Sequence, residues 1–208
     1  MKKIKIILRV IFLISIMFLF CNNVNAEVKW VYVKNPKYKT ELKKEYNKIP
    51  KLARDIYDEN DLQIKIYGYN HYPYYAGLFT GNVYLESYNV SWLKSFYRRH
   101  GVRTNLSNKK LSINYAKCTL IHELGHAFDY KSGRLSYKSD FKKIYKKEKN
   151  KFKNTSYYRY PMGKIQSNIN NAQEYFASAF TVYVRLPKDL KKHCPKTYKY
   201  FEKIFKKK

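Results

Sequence analysis

Hydrophobic and polar positions alternate with two different periods along this chain, after an opening stretch that has neither. Val10 to Phe20 is an apolar run broken only by Ser15. Lys2, Lys3, Lys5 and Arg9 precede it, and a short polar stretch ending in Val24-Asn25-Ala26 follows. A basic start, an apolar centre and small residues at the end predict a secretory signal peptide over residues 1–26, and hence a secreted, extracellular protein. The run is shorter than the roughly 20 apolar residues that span a bilayer. Cys21 follows Phe20, where a lipoprotein signal wants a small residue, so lipidation is not expected.

Beyond the signal, a period of two comes first. Val28 to Val33 and Leu62 to Tyr67 alternate and predict strands, and Asn82 to Ser87 predicts a third at the sheet edge. Between the first two, Leu42, Tyr46, Ile49, Leu52, Ala53 and Ile56 recur near helical spacing, so Lys37 to Tyr57 is predicted helical, with a break at Pro50. Tyr69 to Gly81, with one proline and two glycines among aromatics, predicts a long loop. Trp92 to Arg99 predicts a short helix and Gly101 to Lys110 a loop.

From there the helical period dominates. Asn114 to Tyr130 is an apolar helix. Lys138 to Phe152 is a lysine-faced one, with Phe141, Ile144, Tyr145 and Phe152 inward. A Tyr-rich loop over Asn154 to Asn170 leads to a strongly apolar helix over Asn171 to Val184. A last helix, Pro195 to Phe205, carries Tyr198, Phe201 and Phe205 on one stripe. Strands early and helices late predict a single α+β domain over residues 27–208.

Composition changes this picture in two ways. The 208 residues are 45% hydrophobic, enough for a real core, and three cysteines exclude a disulfide-stapled miniprotein. Cys118 and Cys194 alone remain after signal cleavage; export makes a bridge between them possible, but Cys118 reads better as a small buried hydrophobe. The formal charge of +28 falls to +24 with the four basic residues of the signal. Such a chain can adhere to anionic cell wall or membrane surface. The lysines are dispersed, and the 23 tyrosines accompany no nucleic-acid-binding module, so nucleic acid is not an expected partner. A monomer is expected.

The chemistry lies in His122-Glu123-Leu124-Gly125-His126. On a helix, residues i and i+4 lie one above the other, so both imidazoles can reach one metal ion while Glu123 addresses water beside it. Two histidines do not make a zinc site; a third protein ligand is required. Ser132 stands six residues after His126, which excludes a third histidine there. Asp140, Glu148, Asp189 and Glu202 lie in lysine-rich segments and are expected to be solvated. Glu174 opens an otherwise uncharged helical run, where an ionised carboxylate is costly unless paired or metal-bound, and is the favoured third ligand. The competing reading makes it a carboxylate favoured at a helix N-terminus by the macrodipole. His71, His100 and His193 have no spaced partners and read as ordinary polar residues.

The segments His122-Glu-Leu-Gly-His-Ala-Phe-Asp129, Asn171-Ala-Gln-Glu-Tyr-Phe-Ala-Ser-Ala-Phe180 and Cys194-Pro-Lys-Thr-Tyr198 resemble the catalytic domain of anthrax lethal factor and the related secreted Pro-Pro endopeptidases. The resemblance runs from about Leu120 to Phe205. It implies a zincin-like α+β fold with a small mixed sheet beside the metal helix, whose edge strand holds the peptide substrate. It implies one zinc bound by His122, His126 and Glu174, with Glu123 as catalytic base. Two positions depart from the family pattern. Ser178 stands where the family has a Glu supporting a zinc-bound His, so Asp129 or another group would have to orient the imidazole. Ser167 stands where the family has a catalytic Tyr, and Tyr160, or alternatively Tyr158, would have to fill that role.

The expected function is therefore a secreted zinc metalloendopeptidase acting on extracellular or host proteins. The alternative is a non-catalytic basic adhesin or toxin module on the same fold. Such a module has no need of Glu123.

Overall fold

A computed structural model describes residues 28–32, 39–67, 77–86, 108–159 and 169–206. The predicted signal peptide, the Trp92–Arg99 helix, His71, His100, Tyr160 and Ser167 lie outside the described residues. Strand β1 (Lys29–Tyr32) is followed by helices α1 (Lys39–Tyr46) and α2 (Lys51–Glu59), then strands β2 (Gln63–Tyr67), β3 (Gly77–Phe79) and β4 (Val83–Glu86). The remaining elements are helical: α3 (Asn108–Lys131), a 3-10 turn at Leu135–Tyr137, α4 (Ser139–Phe152), α5 (Ser156–Arg159), α6 (Ala172–Arg185), α7 (Pro187–His193) and α8 (Pro195–Phe205).

The α+β architecture is as expected. The sheet order is β1-β2-β4-β3, with β1, β2 and β4 parallel and β3 antiparallel to β4. This order corrects two expectations. Gly77–Phe79, assigned to a loop, forms a strand, because its backbone pairs with Val83–Leu85. The Asn82–Ser87 segment is not at the edge: β4 bonds β2 on one side and β3 on the other. Among the described residues the short β3 is an edge strand, and it packs against α3 beside β4.

Pro50 does break the first helical segment. It stands at the N-cap of α2, where its fixed φ and missing N–H do least harm. Helix α3 begins at Asn108, inside the predicted loop. It is buried on several sides at once, by α1 and α2, by the sheet and by α6. Leu120, Ile121, Leu124, Ala127 and Phe128 are all at most 1% exposed. A helix apolar all round is a central one. Tyr57 of α2 reaches into its middle and donates to the Leu124 carbonyl at 2.8 Å.

An aromatic cluster joins the C-terminal helices. Phe128, Phe176, Phe180, Phe201 and Phe205 stack or meet edge to face with centroids 5.1–6.3 Å apart. The predicted stripe of α8 thus packs inward. Two short helices escaped the pattern: α5 lies within the predicted loop, and α7 fits seven residues between Leu186 and Cys194.

Glu148 corrects another expectation. It is buried, not solvated. Its carboxylate accepts from the Lys196 and Thr197 backbone N–H groups at 3.0 and 2.8 Å and from the Thr197 hydroxyl at 2.8 Å. Cys194 gives α8 no side-chain cap. Glu148 supplies one from another helix and sets negative charge at the α8 N-terminus. Asp189 also makes contacts, accepting from Ser156 N–H at 2.7 Å and facing His193 at 3.5 Å. Cys118 and Cys194 are both buried and free, so the possible bridge is not formed.

Candidate metal centre

Helices α3 and α6 run antiparallel in close contact, and Gly125 makes the closeness possible. A Cβ built there would fall 2.9 Å from Ala177 Cα and 3.2 Å from the Ala177 carbonyl oxygen. The absence of a side chain lets the Glu174 turn of α6 descend onto the histidine turn of α3. Asn171 caps α6 through its side-chain oxygen, which accepts from Glu174 N–H at 2.9 Å. That bond fixes the first turn, and with it the direction from which the Glu174 side chain leaves the helix.

The carboxylate goes to the imidazoles. Glu174 Oε2 lies 3.2 Å from His122 Nε2, Glu174 Oε1 lies 3.4 Å from His126 Nε2, and the two Nε2 atoms are 3.2 Å apart. Four ligands at zinc bond lengths of about 2.0–2.1 Å in a tetrahedron are separated from one another by about 3.3 Å. The two imidazole nitrogens, each faced by one oxygen of the same carboxylate, therefore stand close to the spacing of ligands around one tetrahedral ion, and one donor atom from each residue lies within 4.8 Å of the others. Two nitrogens and a carboxylate oxygen are also a donor set that zinc accepts. His122, His126 and Glu174 are a group able to hold a metal ion, as the sequence suggested.

The electrostatics are those of a closely coupled group. Burial raises the Glu174 pKa, but hydrogen bonds to both imidazoles outweigh it and hold the carboxyl well below the usual range. Burial disfavours the His126 cation, yet the hydrogen bond to Glu174 and the charges of Glu123, Glu174 and Asp129 raise its pKa overall. Glu123 is buried beside the pair, and burial pushes its carboxyl upward against the pull of His122 and His126.

Asp129, one candidate for orienting an imidazole, is engaged elsewhere. Its carboxylate accepts from the Ser136 backbone N–H at 2.6 Å and from the Ser136 hydroxyl. It fastens the turn after α3; no hydrogen bond joins it to an imidazole. His122 Nδ1 is buried without a hydrogen-bond partner among the described residues, and so is Ser178 Oγ. The departure at Ser178 thus has a structural counterpart in an unsupported ring nitrogen. Tyr158 is half-buried, with its ring edge-on to Phe152 at 6.4 Å. Tyr157 is buried near Cys118, one turn before His122 on α3, and near Arg185 at the end of α6.

The sequence reading missed Gly125, whose signal was a lone glycine inside an apolar helix. It also missed a buried linkage at the other end of the helix pair. Arg185 of α6 ion-pairs with Glu45 of α1 at 2.7 Å and bonds Cys118 of α3. Cys118 is thereby a packing residue, as expected, and burial raises its pKa to about 11.

Comparisons with known proteins bear on the fold and the family. The structure is similar to that of the Pro-Pro endopeptidase PPEP-2 from Paenibacillus alvei, with a TM-score of 0.54 at 19% identity, over 84% of this chain and 96% of that one. The likeness shows a zincin-like fold. No curated protein matches the chain. The family model described as "Anthrax toxin lethal factor, N- and C-terminal domain" matches residues 92–204. That segment is more than half of the chain and contains all of α3 and α6, so the protein belongs to the anthrax toxin lethal factor N- and C-terminal domain family.

Proposed function

We propose that this protein is a secreted zinc metalloendopeptidase, with one zinc per chain held by His122, His126 and Glu174. The observation that carries the proposal is the spacing of 3.2–3.4 Å among their donor atoms, with Glu123 buried next to them. Zinc in such a site supplies Lewis acidity toward a carbonyl oxygen and lowers the pKa of water. Glu123 takes the proton from the attacking water and passes it to the leaving amine. Tyr160 is the proposed hydroxyl donor to the oxyanion, with Tyr158 as the alternative.

The peptide is proposed to extend the sheet at β3, not along the predicted edge strand, where Val83–Leu85 are already paired on both sides. Substrates are extracellular proteins, and the basic surface holds the enzyme to anionic wall or membrane. The structure of PPEP-2, an endopeptidase by name, supports the assignment through its fold.

The test is cleavage of a mixed peptide library by the zinc-loaded protein from residue 27 onward. Hydrolysis that a chelator abolishes and zinc restores is expected. Zinc-loaded protein that cleaves nothing in a library covering all dipeptide junctions would favour the adhesin reading.

A further inference from the structure

His122, His126 and Tyr130 are successive i, i+4 positions on α3, so Tyr130 continues the metal-binding stripe by one turn, about 6 Å further along. It is 50% exposed, one of few large hydrophobic side chains that are. Its ring faces Phe79 of the edge strand β3, with centroids 6.0 Å apart. The space between edge strand and metal helix therefore has Tyr130 at one end.

The chain then builds a cation over that ring. Gly133 (φ +81°) and Arg134 (φ +53°) both take left-handed backbone conformations. For an arginine that costs about 1–2 kcal/mol. The Asp129 residue holds the turn in place, its carbonyl accepting from Arg134 N–H at 2.8 Å and its carboxylate binding Ser136. The Arg134 guanidinium carbon lies 5.3 Å from the Tyr130 ring centroid and 6.0 Å from that of Tyr137, itself 48% exposed. Lys142 Nζ lies 5.2 Å from the Tyr137 centroid. Among the described residues no carboxylate lies within ion-pair distance of the Arg134 side chain, and the Asp129 carboxylate, which feels its charge, is taken up by Ser136. A guanidinium held over rings keeps its edge N–H groups for an acceptor, and its fork matches a carboxylate. Strained backbone at an exposed, pre-set cation is how binding sites are commonly built.

We propose that Arg134, presented by Tyr130 and Tyr137, is a substrate subsite that recognises an Asp or Glu side chain of the bound peptide. Tyr130 stands about 6 Å beyond His126 along α3 and an extended peptide advances about 3.3 Å per residue, so the acidic residue is expected at one fixed offset from the scissile bond and not beside it. The inference rests on the peptidase reading for its place in the cleft, but its test does not depend on catalysis.

The test is affinity selection of random peptides, acetylated and amidated so that no chain terminus supplies charge, on zinc-loaded Glu123→Gln protein. Selection at about 0.5 M salt suppresses long-range attraction to the basic surface. Four forms are compared: Arg134 intact, Arg134→Glu, Arg134→Gln, and Lys188→Glu, which makes the same charge change as Arg134→Glu at an exposed residue elsewhere. Enrichment of Asp or Glu over Gln or Asn at one fixed offset, about tenfold or more, is expected with Arg134 and with Lys188→Glu. Arg134→Glu should reverse it to Lys or Arg at that offset, and Arg134→Gln should abolish it, with zinc content unchanged in both. Acidic enrichment spread over all offsets, or reduced equally by Lys188→Glu, would mean diffuse charge and overturn the subsite. So would a fixed acidic preference that survives Arg134→Glu. Failure of hydrolysis in the wild-type protein would bear on the peptidase reading alone.

Discussion

Gly125→Ala is the smallest perturbation that should dismantle the metal centre without touching a ligand. The added methyl carbon would meet Ala177 Cα at 2.9 Å, the Ala177 oxygen at 3.2 Å and Phe180 Cβ at 3.3 Å. Ordinary carbon contacts lie at about 3.5–4.0 Å, so the helices must part by roughly 0.6–1 Å at this point. Two of the three obstacles are backbone atoms, which cannot swing aside. Overpacking of this kind costs about 1–3 kcal/mol. For a protein of this size that is a fall of about 2–12 °C in Tm. The metal should suffer in addition, because Glu174 sits one turn from Ala177 on the displaced helix. A ligand moved by several tenths of an ångström cannot keep a bond of about 2.0–2.2 Å without distorting the first turn of α6. Zinc affinity is expected to fall by about 10–100-fold, the scale seen when groups that orient ligands are lost. The assay is competitive zinc titration against a chromophoric chelator, beside thermal unfolding of the metal-free protein. Unchanged zinc affinity and unchanged Tm in Gly125→Ala would refute the claim that this contact sets the ligand spacing.

Three further expectations follow from other parts of the structure. Glu148→Ala removes the cap of α8 and leaves two backbone donors unpaired, while the Thr197 hydroxyl keeps its bond to Tyr175, a loss of about 2–3 kcal/mol measurable by urea unfolding, whereas substitution of the exposed Asp140 should cost little. Cys118 and Cys194 have pKa values raised to about 11 and about 12 by burial, so at pH 8 only about one thiol in a thousand or fewer is ionised; neither should be alkylated in the folded protein, and both should be after denaturation, as residue-resolved mass spectrometry would show. Retention on anionic cell wall should weaken steeply between about 0.1 and 1 M salt, as the Debye length shrinks from about 10 to 3 Å, and salt-independent retention would contradict a charge-driven attachment.

What the sequence revealed of this molecule tracks the range of the interactions involved. The histidine pair is a matter of one helix's own periodicity, and the helices of residues 139–152, 172–185 and 195–205 were legible within a residue or two for the same reason. Glu174 could be picked out because a charge in an apolar run needs a partner, even though the partner lies 52 residues away. Pairing partners were not legible. β3 is three residues long, and what makes it a strand is β4, so no local pattern could distinguish it from loop. Glu148 was misread because its neighbours on α4 are lysines; its burial is decided by the N-terminus of α8, which arrives from 48 residues further on. Asp129 was one candidate, beside any other group, for orienting an imidazole, while the turn at Ser136 takes both its oxygens.

The account stands most directly on Glu123. Glu123→Gln keeps the shape of a side chain that binds no metal in this reading and removes only its ability to accept a proton. The decisive measurement is kcat/KM on a peptide the wild-type protein cleaves, with zinc content determined in both proteins. One zinc per chain in each, with a rate lower by about 10²–10⁴-fold in the variant, is the predicted result. Chelator-sensitive cleavage that continues undiminished in zinc-loaded Glu123→Gln would contradict it.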